Sequence, residues 1–151
     1  MNVLISACLL GCACRYDGAS KPLDGGVLDA LRERFTLIPV CPESYGGLPC
    51  PRAPSERRGG AVVSSEGGDV TAQFAKGARE ALHIARLTDA KLALLKERSP
   101  SCGHGEIYDG TFSGTLIGGS GVTAELLAQN GIEVIGESKI TELLEGKFDE
   151  N

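Results

Sequence analysis

The chain alternates short apolar segments with longer segments of helical periodicity. The apolar segments typical of buried strands are 3–5, 35–41, 91–95 and 133–136. The spacing of apolar residues predicts helices over 26–34, 70–87, 123–129 and 140–144. Strands that alternate with helices form parallel sheets through right-handed crossovers, with helices on both faces. The sequence therefore predicts an α/β, Rossmann-like fold with about four mostly parallel strands.

Length and composition favour one globular domain over the whole chain, residues 1–151. The chain is 42% apolar with a net charge of −5, which excludes a disordered protein. No apolar run approaches the roughly 20 residues of a membrane span, and the N-terminus lacks the basic start of a signal peptide. We therefore expect a cytoplasmic protein without membrane contacts. With 15 basic against 20 acidic residues, we expect no nucleic-acid partner.

Two long segments show no helix or strand of their own. Residues 42–60 and 98–121 are rich in glycine, proline or serine, and we expect each to be a loop. A small edge strand over 61–64 and a turn over 66–69 follow the first loop. Loops this long inside a compact domain are usually functional.

Three of the six cysteines follow predicted strands. Cys8 and Cys41 come at the ends of the first two strands, and Cys102 lies in the loop after the third. The loops at the carboxyl ends of parallel strands open onto one crevice, where ligands bind. We therefore expect these three thiols to converge there. The other three, Cys12, Cys14 and Cys50, also fall in these loops.

Converging thiols allow more than one chemistry. Three thiolates suit a soft metal or an iron–sulfur cluster. The spacing matches no zinc ribbon, since the chain has no Cys-x-x-Cys pair, and His83 and His104 are its only histidines. The alternative is a set of reduced thiols that pack as small apolar side chains. If three thiolates hold a cubane cluster, the fourth iron stays open to a ligand.

Acid–base candidates flank these cysteines. Glu43 comes two residues after Cys41, Ser99 and Ser101 precede Cys102, and Asp17 lies in the first loop. A carboxylate or hydroxyl there could move a proton during catalysis. Each could equally serve only its own turn, because such side chains beside glycine or proline often bond their own backbone.

Two features are typical of an anion site. Arg52, Arg57 and Arg58 lie close together after Cys41. A glycine-rich segment that includes Gly121 leads into the helix that starts near Thr123, and free N–H groups at a helix start attract anions. Loop flexibility and ordinary helix capping explain the second feature equally well.

A series of motifs, in order from residue 3 to about residue 137, resembles the family once called DUF523, whose characterised members are thiouracil desulfidases. The motifs are Ser6-Ala-Cys-Leu-Leu-Gly11, Cys14-Arg-Tyr-Asp-Gly18, Pro39-Val-Cys-Pro-Glu43, Gly46-Gly-Leu48, Pro51-Arg52, Asp69-Val-Thr71, Gly77-Ala78, Ser99-Pro-Ser-Cys-Gly103, Ile107-Tyr-Asp-Gly110 and Gly121-Val-Thr-Ala124.

The resemblance implies a [4Fe-4S] enzyme that removes sulfur from thiolated pyrimidines, such as thiouracil or thiouridine monophosphate. The family's cluster ligands fall on Cys8, Cys41 and Cys102, with the fourth iron open. Its acid–base residues fall on Glu43 and Ser101. The products are hydrosulfide and the oxo base.

Binding roles and alternatives complete the expectations from sequence. We expect the substrate to contact a set of five residues: Asp17, Arg52, Ser99, Gly121 and Thr123. A nucleotide- or anion-binding module with incidental thiols, and a structural zinc protein, are the alternative functions. Cys12, Cys14 and Cys50 lie outside the ligand pattern, and the chain is expected to be a monomer or a homodimer.

Overall fold

The computed structural model describes residues 1–149 and contains eight strands and five α-helices within them. In chain order these are β1 (Asn2–Ser6), α1 (Gly25–Arg34), β2 (Thr36–Val40), α2 (Pro42–Tyr45), β3 (Ser55–Arg58), β4 (Ala61–Ser64), α3 (Thr71–Leu87), β5 (Leu92–Leu95), β6 (Glu106–Tyr108), β7 (Leu116–Gly118), α4 (Val122–Gln129), β8 (Glu133–Gly136) and α5 (Ile140–Leu144). Short 3-10 helices span Ala7–Leu10 and Glu137–Lys139.

The central sheet has four parallel strands in the order β2-β1-β5-β8. β1 lies between two neighbours, and its residue Ile5 stands opposite Pro39 of β2 and Leu94 of β5. All three pairings of this sheet are parallel. The predicted α/β fold with a four-stranded parallel sheet is confirmed.

Helices cover both faces of this sheet, because successive side chains of a strand point to opposite faces. One core contains strand residues Leu4, Ala93, Leu95 and Val134, with Leu82 and Ala85 of α3 and Ala124 and Leu127 of α4. The other contains Val3, Ile5, Leu92, Leu94 and Ile135, with Leu31 of α1 and Ile140 and Leu143 of α5. Strands buried on both sides read as continuous apolar runs, which is why the sequence identified them.

The two segments expected to be loops contain further elements. Residues 42–60 include α2 and β3, and β3 pairs antiparallel with β4, the strand predicted over 61–64. Residues 98–121 include β6 and β7, which form a second antiparallel hairpin. These elements are three or four residues long, too short for a periodic pattern to reveal.

Two glycines bring α2 and α3 into backbone contact. A Cβ at Gly46 would overlap the carbonyl of Gln73, and a Cβ at Gly77 would overlap the carbonyl of Pro42. Only glycine permits so close an approach. Because Pro42 follows Cys41, this contact sets the position of the chain at the end of β2.

None of the helices within residues 1–149 has the length and apolarity needed to cross a bilayer.

Candidate active site

The ends of three adjacent strands bring the predicted thiols to one cavity. β2, β1 and β5 are neighbours in the sheet. Cys41 directly follows β2, Cys8 lies in the 3-10 turn after β1, and Cys102 lies in the loop after β5. All three line a cavity of about 630 Å³. The parallel topology thus places together cysteines that are far apart in the sequence.

The three thiols differ in burial and in environment. Cys8 and Cys102 are buried, with 8% and 5% of their surface exposed, whereas Cys41 is half-buried. Burial raises the pKa of Cys8, partly offset by the nearby Lys96 ammonium, and raises the pKa of Cys102 to about 12. The thiols of Cys8 and Cys102 are therefore protonated near neutral pH in the free protein. Metal binding must displace their protons.

Cys14 is a fourth thiol on the cavity wall. The sequence pattern leaves Cys14 outside the ligand set, yet it lines the cavity and its carbonyl accepts a hydrogen bond from the Cys41 thiol at 3.8 Å. Burial, together with the neighbouring Cys41 thiol, raises the pKa of Cys14 to about 12. Cys12 and Cys50 are exposed and do not line the cavity.

The donor set fits an iron–sulfur cluster. Thiolates are the ligands that such clusters take. Within residues 1–149, no three Cys, His, Asp or Glu side chains converge closely enough to hold a single metal ion. Cys8, Cys41 and Cys102 place three such thiols on one cavity wall.

Glu43, Arg52 and Ser101 form a hydrogen-bonded group beside these thiols. The two carboxylate oxygens of Glu43 have different partners: Oε1 accepts from Arg52 Nε at 3.0 Å, and Oε2 accepts from Ser101 Oγ at 3.1 Å. Ser101 Oγ also lies 3.5 Å from the sulfur of Cys102. The two residues expected to act as acid and base are therefore in direct contact, next to an expected cluster ligand.

The guanidinium of Arg52 is bonded to neighbouring protein groups and holds this hydrogen-bonded group in place. Its Nη2 donates to the carbonyl of Cys14 at 3.0 Å and its Nη1 to that of Pro49 at 3.2 Å. Only 6% of its side chain is exposed, against 16% for Glu43. The guanidinium thus fixes the carboxylate and the Cys14 segment together. Sequence reasoning placed Arg52 at the substrate, whereas these donors all have partners within the protein.

Ser99 organises the loop that carries Cys102. Its Oγ accepts hydrogen bonds from the backbone N–H groups of Ser101 and Cys102, both at 3.1 Å, and lies 3.0 Å from Ser101 Oγ. Ser99 also lines the cavity. Its position is compatible with the expected contact to substrate, and its bonds give it a second role in shaping the loop.

The start of α4 is not an open anion site. The N–H groups of residues 121–124 donate to the carbonyls of residues 100, 101 and 103. A Cβ at Gly121 would overlap the Ser101 backbone, and Thr123 is fully buried. Neither Gly121 nor Thr123 lines the cavity. The expected anion site at this helix start is therefore wrong, because its N–H groups already donate to the loop that carries Cys102 and are not free to bind an anion.

Asp17 serves its own turn. Its Oδ1 accepts from the N–H of Ala19 at 3.0 Å, and its Oδ2 lies 3.7 Å from Arg15 Nη1. Its side chain is exposed and does not line the cavity. The structure thus favours the local turn role that the sequence left open for Asp17. The neighbouring Arg15 and Tyr16 do line the cavity.

The arginines after Arg52 also have internal partners. Arg57 donates to the carbonyls of Gly59 and Ser120 and pairs with Glu125, and Arg58 donates to the carbonyl of Gly110. Neither lines the main cavity. The arginine cluster seen in the sequence is therefore dispersed by the fold.

Several cavity residues were missed from the sequence. They are Ser6, Lys21, Glu56, Lys96, Arg98, Tyr108 and Phe112. Ser6 is the last residue of β1 and Lys96 directly follows β5, so the strand-end signal that identified the cysteines could also have found them. Ser6 Oγ accepts a hydrogen bond from the N–H of Lys96 at 2.8 Å. Glu56, Tyr108 and Phe112 lie on the two hairpins, whose strands β3, β6 and β7 the sequence did not predict, whereas Lys21 and Arg98 lie in the loops before α1 and after β5. The wall carries five basic and three acidic side chains, in a chain whose net charge is −5.

Comparisons with known proteins identify the family of this chain. The family described as 2-thiouracil desulfurase matches residues 3–139. A solved structure described as "[4Fe-4S]-dependent thiouracil desulfidase TudS (DUF523Vcz)" is 47% identical, covers 97% of each chain and superposes with a TM-score of 0.90. The uncharacterized protein YbbK of Bacillus subtilis (strain 168) is 41% identical over 94% of this chain and 99% of its own. The chain belongs to the 2-thiouracil desulfurase family.

Proposed function

We propose that the protein is a [4Fe-4S]-dependent desulfidase that removes sulfur from thiolated pyrimidines and releases hydrosulfide and the oxo base. The observation that carries this proposal is the convergence of Cys8, Cys41 and Cys102 on one cavity that also contains the Glu43–Ser101 pair. Family membership and the name of the similar solved structure support the same activity.

Cys8, Cys41 and Cys102 would hold the cluster, which leaves one of its four irons without a protein ligand. When bound, the cluster supplies an iron that attracts sulfur and stabilises the negative charge that develops on it, as a Lewis acid does for oxygen. The reaction is a hydrolytic exchange: water contributes the oxygen of the new carbonyl, and the sulfur leaves as hydrosulfide. No net oxidation or reduction occurs.

Glu43 is the general base of this proposal. Its carboxylate lies on the cavity wall, and it can take a proton from the water that attacks the thiocarbonyl carbon. Arg52 is a positioning residue, because it binds one carboxylate oxygen and leaves the carboxylate in a fixed orientation. Glu43 lies in the first turn of α2, and this helix begins directly after Cys41.

Ser101 links the base to the substrate side of the cavity. Its hydroxyl donates to Glu43 Oε2 and therefore accepts from the Ser99 hydroxyl. When Glu43 has taken the proton of water, Ser101 can receive a proton from Glu43 and pass its own to a ring nitrogen of the pyrimidine. Ser101 is 2% exposed, so this path is shielded from bulk water.

The charge of the cavity wall favours an anionic form of the substrate, a nucleoside monophosphate. Of the basic side chains on the wall, Arg52 pairs with Glu43 and Lys96 with Glu137, at 3.0 and 3.1 Å. Lys21 and Arg98 are exposed and have no ion pair or side-chain hydrogen bond within residues 1–149. They can bind a phosphate at the mouth of the cavity.

Desulfidation by protein purified and reconstituted without oxygen tests the proposal. We expect a brown protein that contains iron and sulfide, consumes the thiouracil absorbance and releases hydrosulfide. Glu43→Gln should lower kcat by about 100-fold or more while iron and sulfide content stays the same. Equal turnover by wild type and Glu43→Gln would contradict the assignment of the base. A colourless protein that still binds nucleotides would instead favour a binding module.

The cellular location and assembly belong to the same proposal. All six cysteines are free thiols, as is usual in the reducing cytoplasm, where we place the protein. We propose that the protein acts as a monomer, because the residues used in the proposed mechanism all come from one chain. Sedimentation of the loaded protein would distinguish this monomer from the homodimer that the sequence left open.

A further inference from the structure

Aromatic side chains are concentrated on the cavity wall. The chain has four phenylalanines, three tyrosines and no tryptophan. Tyr16, Tyr108 and Phe112 line the cavity, whereas Phe35 and Phe74 are buried in the core. Tyr108 and Phe112 both come from the β6–β7 hairpin, and the mechanism above uses neither of them. A planar apolar surface in a polar cavity is what a heterocyclic base binds.

The backbone of Phe112 adopts a conformation that its residue type disfavours. Its φ is +57°, in the left-handed region that side chains other than glycine rarely occupy. Among residues 1–149 only Asp89 and Arg98 share this property outside glycine. Asp89 lies in the turn after α3, where the conformation is common, and Arg98 lines the same cavity as Phe112. Such residues often mark functional sites.

Glu56 holds the hairpin in this conformation. Glu56 Oε1 accepts hydrogen bonds from the N–H of Gly110 at 2.9 Å and of Phe112 at 3.1 Å. Arg58 Nε donates to the carbonyl of Gly110 at 2.6 Å. Both anchors come from β3, so one hairpin clamps the other at the position where Phe112 enters the cavity wall. Loss of the Glu56 carboxylate would leave two backbone donors without their partner.

The geometry points to Phe112 as the residue that binds the pyrimidine ring, with its phenyl face against the face of the base, and to Glu56 as the residue that positions it. This inference rests on the proposed function and names the ring contact of the same site. Stacking requires only a planar π-system, so Phe112 orients the ring without reading its substituents. The polar groups of the cavity are then free to act on the thiocarbonyl.

Phe112→Ala in the reconstituted holoenzyme tests the ring contact. We expect KM for thiouracil to rise about tenfold or more, the effect of losing one base–aromatic stack, while kcat changes less than about threefold. Phe112→Tyr should keep the wild-type KM, because it retains the ring. Ile117→Ala is the matched control, since Ile117 is an exposed apolar residue of the same hairpin that does not line the cavity.

Binding of uracil to the holoenzyme, measured by calorimetry, separates this inference from the desulfidase proposal. Phe112→Ala should bind uracil about tenfold more weakly than wild type at equal iron and sulfide content, whether or not either protein desulfurises thiouracil. Equal affinity of wild type and Phe112→Ala for uracil would overturn the ring contact. Absence of turnover by a wild type that binds uracil would overturn only the proposed activity.

Variants of Glu56 test the positioning role. Glu56→Ala should raise KM to a degree similar to Phe112→Ala, whereas Glu56→Gln, which keeps an oxygen acceptor, should restore much of the affinity. Because Glu56 acts through Phe112, the double variant of Glu56→Ala and Phe112→Ala should have a KM no higher than that of Phe112→Ala alone. Additive losses, or a wild-type KM in Glu56→Ala with a folded hairpin, would contradict the positioning role.

Discussion

At the scale of single residues, Cys14 and Cys41 have different expected roles, although the Cys41 thiol contacts the Cys14 carbonyl. Cys41 follows the strand itself, whereas Cys14 comes from the loop after the 3-10 turn and reaches the same wall. Topology alone predicts that Cys41 lies near Cys8 and Cys102, and the family resemblance makes these three the expected cluster ligands. The position of Cys14 depends on how its loop packs, which spacing does not reveal.

Cys41→Ala and Cys14→Ala are a matched pair that tests this division. Both variants remove a thiol from the same region of the cavity wall, but only Cys41 is expected to bind iron. Cys41→Ala should retain less than about half of the iron and sulfide of wild type after reconstitution, and Cys14→Ala should retain nearly all. Iron and sulfide per chain are measured under anaerobic conditions. Loss of the cluster in Cys14→Ala alone would reverse the assignment.

The buried Arg52 side chain gives a second prediction at this scale. Three of its nitrogens bond three different acceptors, and lysine has one nitrogen with which to replace them. Arg52→Lys should lower the free energy of unfolding by about 2 kcal/mol, because buried acceptors lose their partners. Arg32→Lys, at an exposed ion pair of 3.9 Å, should change it by less than about 0.5 kcal/mol. Urea unfolding that gives equal values for both variants would contradict this prediction.

The residue scale also shows how far sequence reasoning reaches. Cys8, Cys41 and Glu43 follow strand ends closely, and Ser101 and Cys102 lie in the loop after β5. Strand prediction and one rule of parallel sheets therefore bring these residues together. Gly121 and Thr123 were expected at an anion site because a helix start offers free N–H groups. Those N–H groups donate instead to the carbonyls of residues 100, 101 and 103, and only the tertiary structure decides which acceptors they find.

At the scale of elements, the parallel strands and α3 were predictable, and the short elements were not. α3 shows a regular apolar stripe over its 17 residues, and its predicted bounds differ from the structure by one residue at the start. β3 reads Ser-Glu-Arg-Arg, without apolar alternation, and is stabilised by its pairing with β4. Because Glu56 lies on β3, which the sequence did not predict, the hydrogen bond from Phe112 to Glu56 could not be predicted from the sequence either.

The contact of α2 with α3 gives a prediction at this scale. A methyl group at position 77 would overlap the Pro42 carbonyl, so Gly77→Ala must move α2 and with it the chain around Cys41. We expect a loss of about 2 kcal/mol in unfolding free energy and less iron per chain. Gly25→Ala is the control, since a methyl group there meets nothing within 4 Å at the start of α1. It should leave iron content unchanged and stability equal or up to about 1 kcal/mol higher.

At the scale of the whole molecule, the two hydrophobic cores depend little on the expected cluster site. Two aliphatic cores lie on the faces of the sheet, and Cys8 and Cys102 each occupy only one position in them. The expected cluster site lies at the carboxyl edge of the sheet, where the loops after β1, β2 and β5 meet. A structural zinc protein has the opposite design, because its metal takes the place of a core and its chelation unfolds the chain.

Removal of the cluster therefore tests the architecture as a whole. Chelation of iron from the reconstituted protein should leave far-UV circular dichroism unchanged and unfolding cooperative, since both cores remain intact. Tm should fall by roughly 5–10 °C, because a group that binds only the folded state adds a few kcal/mol of stability. Differential scanning calorimetry of loaded and chelated protein measures the shift. Loss of secondary structure on chelation would show that the metal, and not the two aliphatic cores, maintains the fold.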